Sequence, residues 1–257
     1  MTDLKKSSRE FSLALNLERG LVGVKFFFNQ DEFEDGEARE VKGKMPYCVM
    51  VRKAMLGFDM KVTKENSGCV GAENALGIRP VTEELMSGKT YRDRKLYSDL
   101  STSRNVTHNV SRFDFGTYGM EIKPLDQFNY DPDVVLMVSN PYQAMRVMQS
   151  YSYIYGGDFS IKTVGNQAVC SECTANPYET NDINASFLCS GTRYNNRWKD
   201  EELMIGIPFN KFRNLSKSVY ATLDTFESNE KKHIIEENFK NEDIDYDIEY
   251  DTGYFYK

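Results

Sequence analysis

Asp133-Val-Val-Leu-Met-Val-Ser139, running straight into Asn140-Pro141, constrains the fold of this chain more than any other stretch. Five apolar residues in a row, three of them valine, read as a strand. Asn140 is a good helix cap and Pro141 suits a first helical position, so a helix starts there. A strand that turns directly into a helix is a unit of the α/β kind. A chain built on it needs a sheet with helices laid against it.

The remaining segments supply both kinds of element. Phe11, Leu13, Leu15 and Leu17 mix with charges in an opening amphipathic helix. Residues 21–28, rich in β-branched and aromatic side chains and bounded by an acidic loop, read as a buried strand. Pro46 suits the first turn of a helix through Val51, Ala54 and Met55, which Gly57 ends, and a short polar strand follows. Residues 67–77 form a glycine-flanked turn leading into a small-residue helix. The polar stretch 85–120 is expected as loops and one helix around a site or an interface. Strands are expected at 161–169, ending at Cys170, at 185–189 and at 204–208. Phe212, Leu215, Val219, Leu223 and Phe226 recur at helical spacing, giving an amphipathic helix over 209–226, with a weaker one over 233–239. The expected architecture is α+β, a single domain over 1–257 with a central mixed sheet and helices packed on its faces. No linker marks a boundary, although the chain could divide near residue 125. The acidic tail 240–257 reads as an edge strand or a partly disordered end.

With 257 residues the chain can bury a sizeable core, and 40% apolar with 28% charged residues is ordinary for a globular protein. A net charge of −7 disfavours nucleic acid, which needs a concentrated basic face. The one basic cluster, residues 89–95 (KTYRDRK), includes an acid and reads as a solvated face. No stretch approaches the ~18 apolar residues of a membrane span. The first twenty residues lack the apolar core of a signal peptide, so the expected compartment is a reducing cytoplasm, where lasting disulfides are rare.

Cysteine is where such a chain carries chemistry. There are five, Cys48, Cys69, Cys170, Cys173 and Cys189, against two histidines, His108 and His233. Cys48 falls near the start of a helix, where the dipole favours a thiolate, and Cys69 sits at an equivalent turn-to-helix junction. Cys170-Ser-Glu-Cys173 with Cys189 downstream is compatible with metal or cluster ligation, with a redox dithiol, or with plain packing of small buried thiols. A thioredoxin-like dithiol should follow a strand and open a helix; here Thr174-Ala-Asn-Pro177 leaves little helix to open. Ser190-Gly191-Thr192 reads as a tight turn that sets Arg193 beside the Cys189 sulfur. Arg193, interleaved with Tyr194, would suit an anionic ligand, or a surface ion pair. His108 reads as a loop residue and His233 as a surface one. Glycines 68, 71 and 77 match neither a dinucleotide fingerprint nor a phosphate loop.

In order along the chain, Val22-Gly-Val-Lys-Phe26, Cys48, Cys69 with Gly71-Ala72, residues 132–145 (PDVVLMVSNPYQAM), Cys189-Ser-Gly-Thr-Arg193 and Ile205-Gly-Ile-Pro208 resemble the domain of unknown function one-six-nine family. The resemblance runs over roughly residues 15–225. The family is typical of archaea and anaerobic bacteria and carries no activity to transfer. In its pattern the matching cysteines are Cys48, Cys69, Cys170 and Cys189, with Cys173 extra. Four dispersed thiols are the ligand number of a 4Fe–4S cluster or of tetrahedral zinc, and an anaerobic setting favours iron–sulfur. The expectation is therefore a cytoplasmic protein with a cysteine-ligated iron–sulfur centre, for electron transfer or substrate activation. Zinc is the alternative metal. A redox partner protein or a small anionic ligand would meet the centre. The rival expectation is a metal-free, small-molecule-binding or thiol-dependent enzyme with its pocket near Arg193.

Overall fold

The computed structural model describes residues 3–244 and 248–250. Along the chain come α1 (Asp3–Ala14), β1 (Val22–Phe27), α2 (Gln30–Asp35), α3 (Tyr47–Met55), β2 (Met60–Thr63) and α4 (Val70–Ala75). Three short helices follow, α5 (Glu83–Met86), α6 (Lys89–Asp93) and α7 (Leu100–Asn109), then β3 (Gly119–Pro124), β4 (Val134–Ser139) and α8 (Pro141–Tyr155). A π-helix (Ala168–Ala175) runs into α9 (Asn176–Thr180), followed by β5 (Asn184–Ser186), α10 (Ser190–Asn196) and β6 (Leu203–Pro208). The chain closes with α11 (Phe209–Ala221), α12 (Leu223–Phe226) and α13 (Asn229–Asn241).

The architecture is α+β. Six strands form one sheet in the order β2-β3-β1-β4-β6-β5. Every ladder is antiparallel; the parallel pairings among the described residues are two isolated bridges, Glu40 to Lys61 and Met45 to Ser67. Because β1 pairs with β3 on one side and β4 on the other, the sheet runs unbroken across the region of residue 125.

Period-two alternation divides the sheet's side chains between two cores. Val134, Leu136 and Val138 of β4 face a layer holding α3, α4 and the π-helix. Val135 and Met137 face α1, α8, α11 and α13. Both faces are covered, which is why β4 is apolar at five consecutive positions, Val134 to Val138, rather than at alternate ones. On the second face Phe11 of α1 meets Phe212 of α11 edge-to-face at 5.2 Å between centroids. The Asn140 carboxamide accepts from Gln143 N–H, and Gln143 reaches back to Asn140 N–H, a reciprocal cap that fixes where α8 begins.

Three local expectations are corrected. Residues 161–167 form no strand, and the π-helix begins at Ala168. The segment is held by side chains instead: the Glu172 carboxylate accepts from Val164 N–H and Gly165 N–H, and Asn184 pairs with both backbone groups of Lys162. Within 85–120 there are three helices, followed by the start of β3, a central strand that polar composition concealed. The helix over 209–226 breaks at Thr222 into α11 and α12. The acidic tail lies largely outside the described residues.

Candidate functional site

Three of the five thiols stand at helix starts on the same side of the sheet. Cys48 is the second residue of α3, after Pro46 sets the entry at φ −61°. Cys69 is the N-cap of α4 and Cys189 the N-cap of α10. The turn expected at 190–192 is thus the first turn of a helix, so Cys189 shares the setting of Cys69. Cys170 lies on the π-helix, a geometry that recurs at functional sites.

Local bonds bring these starts together. Met45 N–H donates to Asn66 O and Gly68 N–H to Met45 O, so the chain entering α3 is paired with the chain entering α4. A Cβ on Gly68 would stand 3.0 Å from the Met45 backbone, which is why glycine precedes Cys69. The Tyr47 hydroxyl meets Thr174 Oγ1 at 2.9 Å and ties α3 to the π-helix. At β6, Gly206 lets the Cys173 carbonyl rest on the strand: a Cβ there would fall 1.8 Å from that oxygen. Two residues flanking the cysteines hold left-handed backbone, Gln167 (φ 55°) before the π-helix and Leu188 (φ 68°) before Cys189. For leucine this is a strained conformation that only surrounding structure sustains.

Cys48, Cys69, Cys170 and Cys189 line one pocket of about 380 Å³. Cys173 does not; it is fully buried on the strand side of the π-helix, with its sulfur 3.5 Å from Met204 O. Arg193 is also outside the pocket lining. Its guanidinium donates to the backbone carbonyls of Lys199, Phe187 and Glu202, clasping the loop after α10. His108 is exposed on α7 and His233 on α13, both away from the pocket. Among the described residues, no group of three or more His, Cys, Asp or Glu side chains is arranged to hold a metal ion.

The electrostatics follow from burial and crowding. Burial pushes the Cys170 thiol well above the ordinary range, and the neighbouring Cys69, Cys189 and Cys48 push it further. Burial likewise raises Cys48; Asn196 and Thr192 beside it act in the opposite direction. Thr192 Oγ1 is also 3.2 Å from the Cys189 sulfur. Cys173 is raised by burial first and by Glu172 second, with none of the other four thiols contributing. Burial and the neighbouring sulfurs thus both disfavour the charged form at Cys170 and Cys48. Asn196 Nδ2 stands buried among the same elements without an acceptor.

The sequence did not single out the opposite wall of this pocket. Thr90, Tyr91 and Arg94 come from the basic cluster read as a solvated face, Asn74 from α4, and Asn166 and Gln167 from the loop before the π-helix. The expectation that 85–120 surrounds a site was the one available signal for that wall.

Fold and pocket together define an α+β protein with four dispersed cysteines converging on one cavity. The chain belongs to the domain of unknown function one-six-nine family, described as an uncharacterised ArCR family, which matches residues 10–218 and so takes in every cysteine. An uncharacterised protein of Methanocaldococcus jannaschii is 23% identical over 221 residues, covering 85% of this chain and 94% of that protein. No solved structure matches the chain. No helix among the described residues is long and apolar enough to cross a membrane.

Proposed function

We propose that Cys48, Cys69, Cys170 and Cys189 hold a metal centre, an iron–sulfur cluster of the 4Fe–4S type. The observation that carries this reading is the shared pocket: four thiols spread over some 140 residues of sequence line one cavity, while the fifth is turned away. The donor set fits. Cys48 sits in the first turn of α3, and Cys69 and Cys189 are the N-caps of α4 and α10. The Asn196 amide, buried without an acceptor beside Cys48, is placed to donate to a charged sulfur. A shared cation would offset the burial that holds Cys48 and Cys170 protonated.

Four thiols are the ligand number of either centre, and the resemblance to a family of anaerobes favours the cluster. A single zinc ion at ~2.3 Å from each sulfur would draw all four into mutual contact. A cubane, with four irons between its ligands, keeps its thiolates farther apart. Such a group supplies one-electron transfer or a Lewis-acidic iron. The chain's own residues orient the thiolates, exclude water from the Cys170 side and hold the Asn196 and Thr192 donors against the sulfurs.

The test is anaerobic purification followed by a visible spectrum with iron and sulfide analysis. Brown protein with iron and sulfide in equal amounts is expected, with both lost in Cys48→Ala. Colourless, metal-free protein that Cys48→Ala leaves unchanged overturns the proposal, and zinc without sulfide replaces the cluster with a single ion.

A further inference from the structure

Three side-chain amides around the cysteine pocket each keep one end without a hydrogen-bond partner among the described residues: Asn74 Oδ1, Asn166 Nδ2 and Gln167 Oε1. All three residues line the cavity, with Asn74 only 6% exposed and Gln167 8%. An unpaired buried polar end costs ~1–3 kcal/mol, and native structures carry few of them. Gln167 donates from Nε2 to the Tyr91 hydroxyl, and its Oε1 is left without a donor.

Arg94 lines the same cavity and is exposed, and its guanidinium has no hydrogen bond or ion pair among the described residues. Leu85 and the Tyr91 ring supply apolar wall between the amides and this cation. A volume of about 380 Å³ is that of a small-molecule site. We infer that the cavity binds a small carboxylic acid whose body carries an amide or cyclic ureide. Its amide edge pairs with Asn74, Asn166 and Gln167, and its carboxylate reaches Arg94. The ligand sits against the proposed metal centre, but these contacts stand on the pocket's own residues and do not require the metal.

Isothermal titration calorimetry on the full chain tests this, once on anaerobically purified protein and once after chelator treatment. The probes are orotate and succinamate, which carry both groups, uracil, which carries the ureide alone, and benzoate, which carries the carboxylate alone. Orotate or succinamate should bind at least tenfold tighter than uracil and benzoate. Gln167→Leu and Arg94→Met should each weaken that binding tenfold or more. Since Arg94 is exposed, its variant folds and keeps the test decisive if Gln167→Leu does not. No heat from any probe, equal binding of all four, or undiminished binding by Arg94→Met overturns the inference. Binding by a chain that never takes up iron refutes the metal proposal alone; iron uptake without probe binding refutes the ligand alone.

Discussion

Replacing Gly206 by alanine tests how the site is mounted on the sheet. Gly206 lies in β6, paired with Leu136 of β4 and Asn184 of β5, so the strand is fixed on both sides. The added Cβ would stand 1.8 Å from the Cys173 carbonyl oxygen and 2.6 Å from its carbon, where ordinary contact begins at 3.4 Å. Strand and π-helix would have to separate by about 1.6 Å, the difference between 3.4 and 1.8 Å. The obstacle is backbone, so no rotamer change relieves it. Overpacking costs ~1–3 kcal/mol, and a backbone clash on a doubly paired strand belongs at the upper end, about 3 kcal/mol. At ~2–4 °C per kcal/mol for a chain of this size, the thermal midpoint should fall by about 6–12 °C. The assay is thermal unfolding followed by circular dichroism, with Gly116→Ala as the control, since a Cβ on Gly116 meets nothing within 4 Å. A Gly206→Ala midpoint within about 2 °C of the parent, or one no lower than that of the control, would refute the reasoning.

Cys173→Ala should leave iron content unchanged and lower stability by ~1 kcal/mol, whereas Cys170→Ala should abolish iron binding; equal iron loss in both, read by elemental analysis, would return Cys173 to the ligand set. In the iron-free, reduced chain, burial raises the Cys48 and Cys170 thiols, so above the unfolded thiol value of ~8.5 the folded state holds more protons than the unfolded. That contribution is complete below the unfolded value and is lost as pH rises through the raised folded values, so the urea midpoint should fall from about pH 8.5 to 10, and fall less in Cys170→Ala. Arg146, 1% exposed, pairs at 2.5 Å with Glu227, and Arg146→Met should cost ~3–5 kcal/mol by leaving a buried carboxylate without its cation, with the Tyr142 hydroxyl still donating to it. The double variant Arg146→Met with Glu227→Gln should recover part of that loss in the same denaturation assay, and no recovery would refute the charge argument.

Much of the fold was legible because the elements announce themselves locally. The valine run before Asn140-Pro141 gave β4 and α8, and Pro46 and Gly57 bracketed α3. β3 escaped because its buried face carries charge. Glu121 and Lys123 are both almost fully buried, and they are paired with each other and with Glu37 across a turn about 85 residues away. Their partners make those charges tolerable inside a sheet, and partners distant in sequence leave no periodic trace. Residues 161–167 misled in the opposite direction. Their composition suits a strand, but their backbone groups are taken by Glu172 and Asn184 side chains rather than by a neighbouring strand.

The candidate site divides in the same way. Cysteine stands out in a chain nearly without histidine, and the family resemblance, not the residues alone, marked Cys48, Cys69, Cys170 and Cys189 among the five. Asn74, Gln167 and Asn196 could not be chosen from the sequence, because an amide is chemically unremarkable until burial removes its water. By itself, then, the sequence determined the α+β class and the helix starts at Cys48 and Cys69. Tertiary structure alone decided that the four thiols share a pocket, that Cys173 and Arg193 face elsewhere, and that the basic cluster supplies a wall. The physical reason is range. Caps, turns and hydrophobic periods act over a few residues, whereas a pocket is set by how helices settle on a sheet, and that is fixed by burying both faces at once.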